Sequence, residues 1–307
     1  EKDPKILKKF LESVVIDMEN MFLTPLLELF PVEIAPAENL KNSVDLKGLK
    51  WEKIDKNSIL EPNGKRYWIR KKIKLPEIDK KNIYGIKFKF GEITDSLMYL
   101  NRNMYSGIAT GGWDDKKIVS LPSNLKSGEE IEILFHTYSG KNFGTLSSFK
   151  PQLFENFTLY EIETTEKDMY YAFSTAIDLL NVLEATSENY HKILNTLEKA
   201  YIMLDFTTKN NYSKSCHEAL KYLERNIYNG KNIKETKFFI FGHAHIDVAW
   251  LWTLDNTKEK AIRTFTSQIS QMEKYPEWIF QQGQTQLYKF VEEDFPDIFK
   301  SIKGKIK

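Results

Sequence analysis

The spacing of apolar residues changes three times along the chain, and this change limits the possible folds. It begins with a period of 3.6, changes to a period of two near Lys65, and returns to 3.6 between about residues 163 and 228. After that, short apolar runs alternate with helical patterns. A period of two is typical of strands and one of 3.6 of helices, so neither an all-α nor an all-β fold fits. The sequence predicts an α+β multidomain protein.

The first predicted domain, residues 1–60, contains a helix and an irregular segment. Asp3 and Pro4 suit the N-cap and first helical positions. The residues expected to form the apolar stripe of this helix are Ile6, Phe10, Val14, Met18 and Met21. Residues 23–61 carry scattered proline and asparagine with no sustained period, so we expect irregular structure there.

Alternating apolar residues predict an antiparallel β-sandwich over residues 61–163. Residues 67–75, 84–90 and 131–135 each alternate apolar with polar positions, and glycine or proline punctuates the runs. Such sandwiches often bind sugars, and Trp68 and Trp113 could stack on a pyranose ring. Burial in the core is the favoured interpretation, because large aromatic side chains are usually buried.

Three amphipathic stripes predict a helical segment over residues 164–235. His191 and His217 lie on these predicted helices without a second ligand at metal spacing, so we interpret them as surface or capping residues. Cys216 lies one turn from Ala219 and Leu220 and is expected to be a buried structural thiol.

The last segment, residues 236–307, has the order β-α-β-α. An apolar run at residues 237–241 precedes a helical pattern from about Trp250, and a second run at residues 278–281 precedes a helix expected over about residues 284–300. This order predicts the opening of a parallel α/β layer or of a β/α barrel. A whole barrel takes ~250 residues, so a barrel here is expected to be incomplete, with only its first βα units present.

Charge and composition exclude several classes of protein. The 44 Lys and Arg residues are balanced by 43 Asp and Glu residues, which argues against a nucleic-acid-coating protein. No apolar run is long enough to predict a membrane span. The N-terminal sequence lacks the pattern of a secretion signal, and a single cysteine cannot form an internal disulfide. We therefore expect a cytoplasmic protein.

His243, His245 and Asp247 alternate just after the apolar run. Residues two apart on an extended backbone point to the same side, so His245 and Asp247 can bind one cation together. Imidazole nitrogen and carboxylate oxygen are ligands that suit zinc. An isolated His-x-Asp pair is also compatible with two polar residues that meet by chance at a strand end.

The residues around this pair resemble the opening motif of family 38 α-mannosidases, in particular their intracellular, broad-specificity branch. The motif is Gly-His-Ala-His-Ile-Asp-Val-Ala-Trp-Leu-Trp at residues 242–252, and the resemblance continues through residues 260–267, 272–280 and 284–288. It is looser at residues 68–71 and 99–101, which resemble the accessory β-domain of that branch. The chain thus resembles the N-terminal portion of such an enzyme.

The resemblance implies roles for four residues. His245 and Asp247 match the first two ligands of a metal ion, Zn²⁺ or Co²⁺. Trp250 matches an aromatic residue that packs against the sugar, and His243 matches a neighbouring histidine that is not a ligand. Asn256 departs from the family, whose members usually carry an acidic residue there; we expect this to be a lost surface contact.

The resemblance also implies a fold, a substrate and a reaction. The family fold is a seven-stranded β/α barrel followed by a helical bundle and β-domains, and its members hydrolyse terminal α-mannosides with retention. The nucleophile and the general acid are expected beyond Lys307, so no residue here is assigned either role. The implied partners are α-mannoside oligosaccharides, with a homo-oligomer or a complementing C-terminal chain as further options, and neither nucleic acid nor membrane.

Two alternatives remain open. In an amidohydrolase-type metal hydrolase, His243 and His245 would be the ligands and Asp247 would lie behind them; the Trp250–Trp252 pair argues against this. In the other, the β-sandwich is a non-catalytic carbohydrate-binding module and the last segment is a remnant. The intact trio of His245, Asp247 and Trp250 argues for the enzyme.

Overall fold

The structure is a computed structural model that describes residues 3–60, 64–79, 82–90, 94–110, 118–139, 152–228, 239–250 and 252–306. It is a mixed α/β protein with antiparallel sheets. The described residues contain seven α-helices: α1 Pro4–Met21, α2 Thr164–Val182, α3 Glu188–Met203, α4 Lys209–Leu223, α5 Leu254–Lys274, α6 Thr285–Asp294 and α7 Pro296–Lys305. None of these helices combines the length and the apolar character that spanning a bilayer requires.

The strands within the described residues are mostly short. They are β1 Leu23–Glu28, β2 Val32–Ala37, β3 Glu52–Ile54, β4 Ile59–Leu60, β5 Lys65–Lys74, β6 Ile83–Phe90, β7 Thr94–Leu100, β8 Asn103–Thr110, β9 Ile118–Ser120, β10 Glu130–Ser139, β11 Gln152–Ile162, β12 Gly242–His243 and β13 Phe280–Gln281. The expectation of irregular structure over residues 23–61 was therefore wrong in part, because β1–β4 lie there. β1 and β4 pair with β11, and β2 pairs with β3 and β5. These four strands are only two to six residues long, too short to show a sustained period.

The chain is divided into two compact units. The helical unit comprises Glu1–Leu26, Asp79–Tyr84 and Tyr160–Lys237. The sheet unit comprises Leu27–Ile78, Gly85–Leu159 and Phe238–Lys307.

Apolar faces of α1–α4 form the core of the helical unit. The side chain of Asp3 accepts a hydrogen bond from the Lys5 amide and caps α1, as predicted. The predicted apolar stripe of α1 is confirmed at Val14 and Met18 but was wrong at Ile6 and Phe10, which are exposed. The other residues of α1 in the core are Leu7 and Leu11. The prediction for Cys216 is confirmed, since its thiol is buried in this cluster and burial raises its pKa to about 12.

Two sheets form the sandwich. The first has the order β1-β11-β6-β9, with β4 also paired to β11, and the second has the order β3-β2-β5-β10-β7-β8. Phenylalanine rings join them: Phe135 on β10 lies 5.1 Å from Phe88 and 5.4 Å from Phe90 on β6, measured between ring centroids. The predicted antiparallel sheets are confirmed, but they also include β1–β4, which lie before the predicted boundary at residue 61.

The second sheet is covered on its other face as well. On β5 and β10, Ile69 and Phe135 face the sandwich interior, while their neighbours Trp68 and Leu134 join a cluster with α5, α6 and α7. Trp68 is buried there against Tyr99 and His136, which confirms the core interpretation and leaves its ring no access to a sugar. Trp113 lies outside the described residues.

The C-terminal segment contains two short βα units. β12 and β13 pair in parallel through Gly242–Phe280 and His243–Gln281. Residues 239–241 of the predicted first strand are exposed and form no strand, and residues 237 and 238 lie outside the described residues. The helix expected over residues 284–300 is divided into α6 and α7 at Phe295, because Pro296 has no amide hydrogen to continue α6.

Candidate functional site

His245 and Asp247 meet at the C-terminal end of β12. The Nε2 atom of His245 lies 2.9 Å from Oδ1 of Asp247, and the two side chains are 74% and 42% exposed. Ala244–Asp247 leave the regular strand, yet the i, i+2 spacing still brings the two side chains together. One nitrogen and one oxygen thus face solvent within reach of a single ion.

His243, on β12, is hydrogen-bonded to the neighbouring strand β13. Its Nδ1 lies 2.9 Å from the carbonyl oxygen of Gln281, and because a carbonyl oxygen only accepts, Nδ1 carries the hydrogen. His243 therefore contacts β13, whereas His245 contacts Asp247. Gly242 lies beside it under the Trp278 ring, where an added Cβ would come within 2.5 Å of a ring carbon.

Two glutamines bind the backbone on both sides of His245. The Nε2 amide of Gln282 donates to the carbonyl of Ala244, and that of Gln284 donates to the carbonyl of Ile246 at 2.9 Å. Gln282 also accepts from the backbone amide of Gln284 at 3.1 Å. The sequence reasoning missed these glutamines, although their i, i+2 spacing after the second strand matches that of His245 and Asp247 after the first.

Thr257 on α5 holds the loop that follows Asp247. Its Oγ1 accepts hydrogen bonds from the Ala249 amide and from Nε1 of Trp252, each at 3.0 Å. Ala249 has a φ of 55°, a left-handed conformation that non-glycine residues rarely adopt. The fully buried Thr257 hydroxyl therefore stabilises an unfavourable turn next to the candidate site.

Trp250 projects from this turn. Its side chain is 58% exposed, and its ring meets the ring of Trp252 edge-on at 5.5 Å between centroids. An exposed tryptophan beside two polar metal-type ligands is suited to pack against a sugar ring, whose C–H groups stack on aromatic faces.

A buried set of charged residues fixes α5 against the second sheet. Nε of Arg66 on β5 lies 2.6 Å from Oε1 of Glu259, and the same guanidinium donates to Oδ1 of Asn256 at 2.9 Å. Asn256 is buried, so the expectation that it marks a lost surface contact was wrong. The neutral amide is a partner for Arg66.

A second ion pair lies beside the first. Asp95 on β7 accepts from Lys260 and Arg263 on α5, each at 2.9 Å. Burial raises the pKa of Asp95, but the charges of Arg263 and Lys260 outweigh burial and lower its pKa below the ordinary value. Asp95 therefore stays ionised in the folded protein.

The donor atoms fit part of a zinc site. Imidazole nitrogen and carboxylate oxygen are both zinc ligands, and at 2.9 Å they are close enough to share one ion. Among the residues that the structure describes, no group of three or more His, Cys, Asp or Glu side chains could hold a metal. Protein zinc sites have three or four protein ligands, so His245 and Asp247 make up about half of one.

Comparison with known proteins shows what this chain is similar to. Residues 235–307 match the glycosyl hydrolases family 38 N-terminal domain. The chain is 25% identical to "Alpha-mannosidase G" of Dictyostelium discoideum over 98% of its own length and 28% of that protein. It is 24% identical to "Alpha-mannosidase" of Saccharomyces cerevisiae over 84% of its length and 25% of that protein. These matches confirm the resemblance to the N-terminal portion of family 38 mannosidases, and the chain spans about a quarter of these relatives.

Solved structures give weaker matches. A β-glucuronidase of Faecalibacterium prausnitzii has a TM-score of 0.33 and 12% identity, over 45% of this chain and 31% of its own. A family 2 β-glucuronidase has a TM-score of 0.32 and 18% identity, over 44% and 17%. Likenesses at this level support no conclusion about function.

Proposed function

We propose that this chain supplies the first part of the active site of a retaining, metal-dependent α-mannosidase of glycoside hydrolase family 38. The observation that carries the proposal is the 2.9 Å contact between His245 Nε2 and Asp247 Oδ1. It lies inside the segment that matches the family 38 domain. The relatives named α-mannosidase support the substrate class.

In the proposed site, His245 and Asp247 hold Zn²⁺ or Co²⁺. Such an ion supplies Lewis-acid chemistry, polarising the oxygens of a bound sugar. The hydrogen bond from His243 to Gln281 fixes the tautomer and the ring plane of that neighbouring imidazole.

Trp250 is the proposed contact for the mannose ring. Its exposed face offers apolar area to the C–H face of the sugar, while the hydroxyl groups point toward His245 and Asp247. The nucleophile and the general acid of a retaining mechanism are two carboxyl groups about 5 Å apart across the glycosidic bond. In this proposal, both come from the part of the protein that the aligned quarter does not include, so the chain alone is inactive.

The match of residues 235–307 to the family 38 domain favours this proposal over an amidohydrolase-type hydrolase, in which His243 and His245 would share an ion. A non-catalytic sugar-binding role for the sandwich is also less well supported, because Trp68 is buried. The single cysteine, buried in the helical core, is compatible with the cytoplasm as the proposed compartment.

Histidine NMR of the 307-residue chain tests the proposal. The chain has five histidines, and labelled histidine gives each its own signal. We expect added Co²⁺ to shift the His245 signals most, His243 less, and His191 least, since His191 is an exposed residue of α3. Asp247→Asn should weaken the Co²⁺ response of His245. Equal Co²⁺ responses in the wild type and in Asp247→Asn would overturn the proposed metal pair.

A further inference from the structure

We infer that Gln282 and Gln284 are positioning residues for the His245–Asp247 pair, acting as a side-chain replacement for the backbone ladder where β12 and β13 separate. The inference deepens the proposed function and rests on it, because the pair that the glutamines position is the proposed metal pair. The side-chain amides of both glutamines donate to backbone carbonyls, not to the side chain of His245 or Asp247.

The backbone ladder between the two strands is very short. It pairs Gly242 with Phe280 and His243 with Gln281 and goes no further. In a continuous parallel sheet, the carbonyls of the next residues would accept from backbone amides of the partner strand. Here the carbonyls of Ala244 and Ile246 accept from glutamine side-chain amides.

The replacement keeps the spacing of a strand. Residues 244 and 246 are two apart, as are residues 282 and 284, so the two side-chain bridges repeat the i, i+2 spacing. His245 lies between the two anchored carbonyls and Asp247 follows the second, and both of these side chains are exposed to solvent.

The second strand is itself anchored. The hydroxyl of Tyr288 on α6 donates to the backbone carbonyl of Gln282 at 3.0 Å, and Gln282 accepts from the amide of Gln284. Both glutamines are therefore held by α6 and by each other. The backbone around His245 is fixed relative to a helix, although the residue itself has no regular secondary structure.

A substitution at Gln284 can test the positioning of His245 separately from the stability of the fold. Its Oε1 atom is buried with no hydrogen-bond partner, while its Nε2 binds Ile246. Replacing Gln284 with methionine, a side chain of similar length, removes a hydrogen bond and an unpaired buried oxygen together. These two effects oppose each other in the free energy of unfolding. The backbone of Ile246, in contrast, loses its anchor.

The experiment compares Gln282→Met and Gln284→Met with Gln286→Met, an exposed glutamine on α6. In the metal-free chain, the ¹⁵N shifts of the His245 ring report its hydrogen bond to Asp247. We expect both site variants to change these shifts and to raise the Co²⁺ dissociation constant about tenfold. Gln286→Met should leave both unchanged, and Gln284→Met should unfold at nearly the wild-type denaturant concentration.

The outcomes separate this inference from the proposed function. Wild-type His245 shifts and wild-type Co²⁺ affinity in both glutamine variants would overturn the positioning role, even when Asp247→Asn abolishes the Co²⁺ response. Changed metal-free His245 shifts in the glutamine variants, with Co²⁺ binding that does not depend on Asp247, would support positioning of the pair and overturn its role as a metal site.

Discussion

Arg66 and Glu259 form a buried ion pair across 193 residues of sequence, with 2.6 Å between Nε and Oε1 and side-chain exposures of 13% and 4%. One partner lies on β5 of the sandwich and the other on α5, the helix that follows the candidate site. The pair therefore ties the matched family 38 segment to the sheet that precedes it in the sequence.

Removing one partner of the Arg66–Glu259 pair should lower the free energy of unfolding. Glu259→Ala leaves the guanidinium of Arg66 buried without its carboxylate and also removes the acceptor for the Leu40 amide. We expect the free energy of unfolding to fall by about 3 kcal/mol, measured by urea denaturation. The control is Glu218→Ala, which breaks an exposed pair with Lys221 and should cost less than about 1 kcal/mol. Equal losses in the two variants would contradict the role of the buried pair.

Gly107 permits the closest approach of β8 to α5. A Cβ at this position would lie 2.4 Å from the backbone oxygen of Arg263, so Gly107→Ala must move the helix or the strand. We expect a loss of about 1–3 kcal/mol in the free energy of unfolding, from thermal or urea denaturation. Gly304 on α7 has no atom within 4 Å of its hypothetical Cβ, so Gly304→Ala should stabilise α7 by up to about 1 kcal/mol. A neutral Gly107→Ala would show that the two elements are not in close contact.

His136 should make stability fall between pH 6.5 and 4. Burial lowers its pKa to about 4, with Glu259 opposing the shift and Arg66 and Arg263 adding to it, while its Nε2 binds the carbonyl of Glu38. The unfolded chain therefore binds a proton in this range that the folded chain does not. Stability from the neutral ring is fully present above pH 6.5 and falls as the pH drops toward 4, by up to about 3 kcal/mol in total.

The measurement is urea denaturation at pH 7 and pH 4.5. His136→Gln, which keeps a donor for Glu38, should lose most of the difference between the two pH values. His191→Gln, at an exposed position on α3, should retain it. An unchanged pH dependence in His136→Gln would assign the acid sensitivity to other groups.

Two threonines on α5 should respond in opposite ways to the same substitution. Thr257→Val removes the acceptor for the Ala249 amide and the Trp252 indole, which should cost about 1–3 kcal/mol and change the fluorescence of the tryptophans in the turn. Thr266→Val removes a buried hydroxyl oxygen that has no hydrogen-bond partner, so it should be neutral or stabilising. Similar losses in both variants would contradict a specific role for the Thr257 hydroxyl.

The sequence predicted those parts of the fold that depend on local pattern. Alternation predicted β5 and β10, and apolar stripes predicted α2–α4. Alternation says nothing of the cover on the second face of the sheet, where His136 is buried and the side chains of Arg66 and Asp95 are largely covered by α5. Alternation distinguishes the two faces of a strand but cannot say that a helix from a distant part of the chain covers the polar one.

For the candidate site, local spacing predicted that His245 and Asp247 would meet, and the 2.9 Å contact agrees. Local spacing could not predict the residues that hold this site in place. Gln282 lies 38 residues from the carbonyl that it binds, and Arg66 lies 193 residues from Glu259. No local pattern encodes such distances, and only the packed sheet unit brings these residues together. The roles of the four site residues stay predictions.

The sheet unit is interrupted in sequence by the helical unit, and this arrangement has a consequence for synthesis on the ribosome. Strands β5, β7 and β10 are complete by Ser139, whereas the helices that cover their second face extend to Lys305. If the ribosome adds about 5–20 residues per second, roughly 10–30 s pass between the synthesis of Ser139 and that of the last covering helix. During this interval, the charges of Arg66 and Asp95 are exposed to water. The same face carries the apolar side chains of Trp68, Leu97 and Leu134, so we expect the nascent sheet to expose apolar surface until α5 is made.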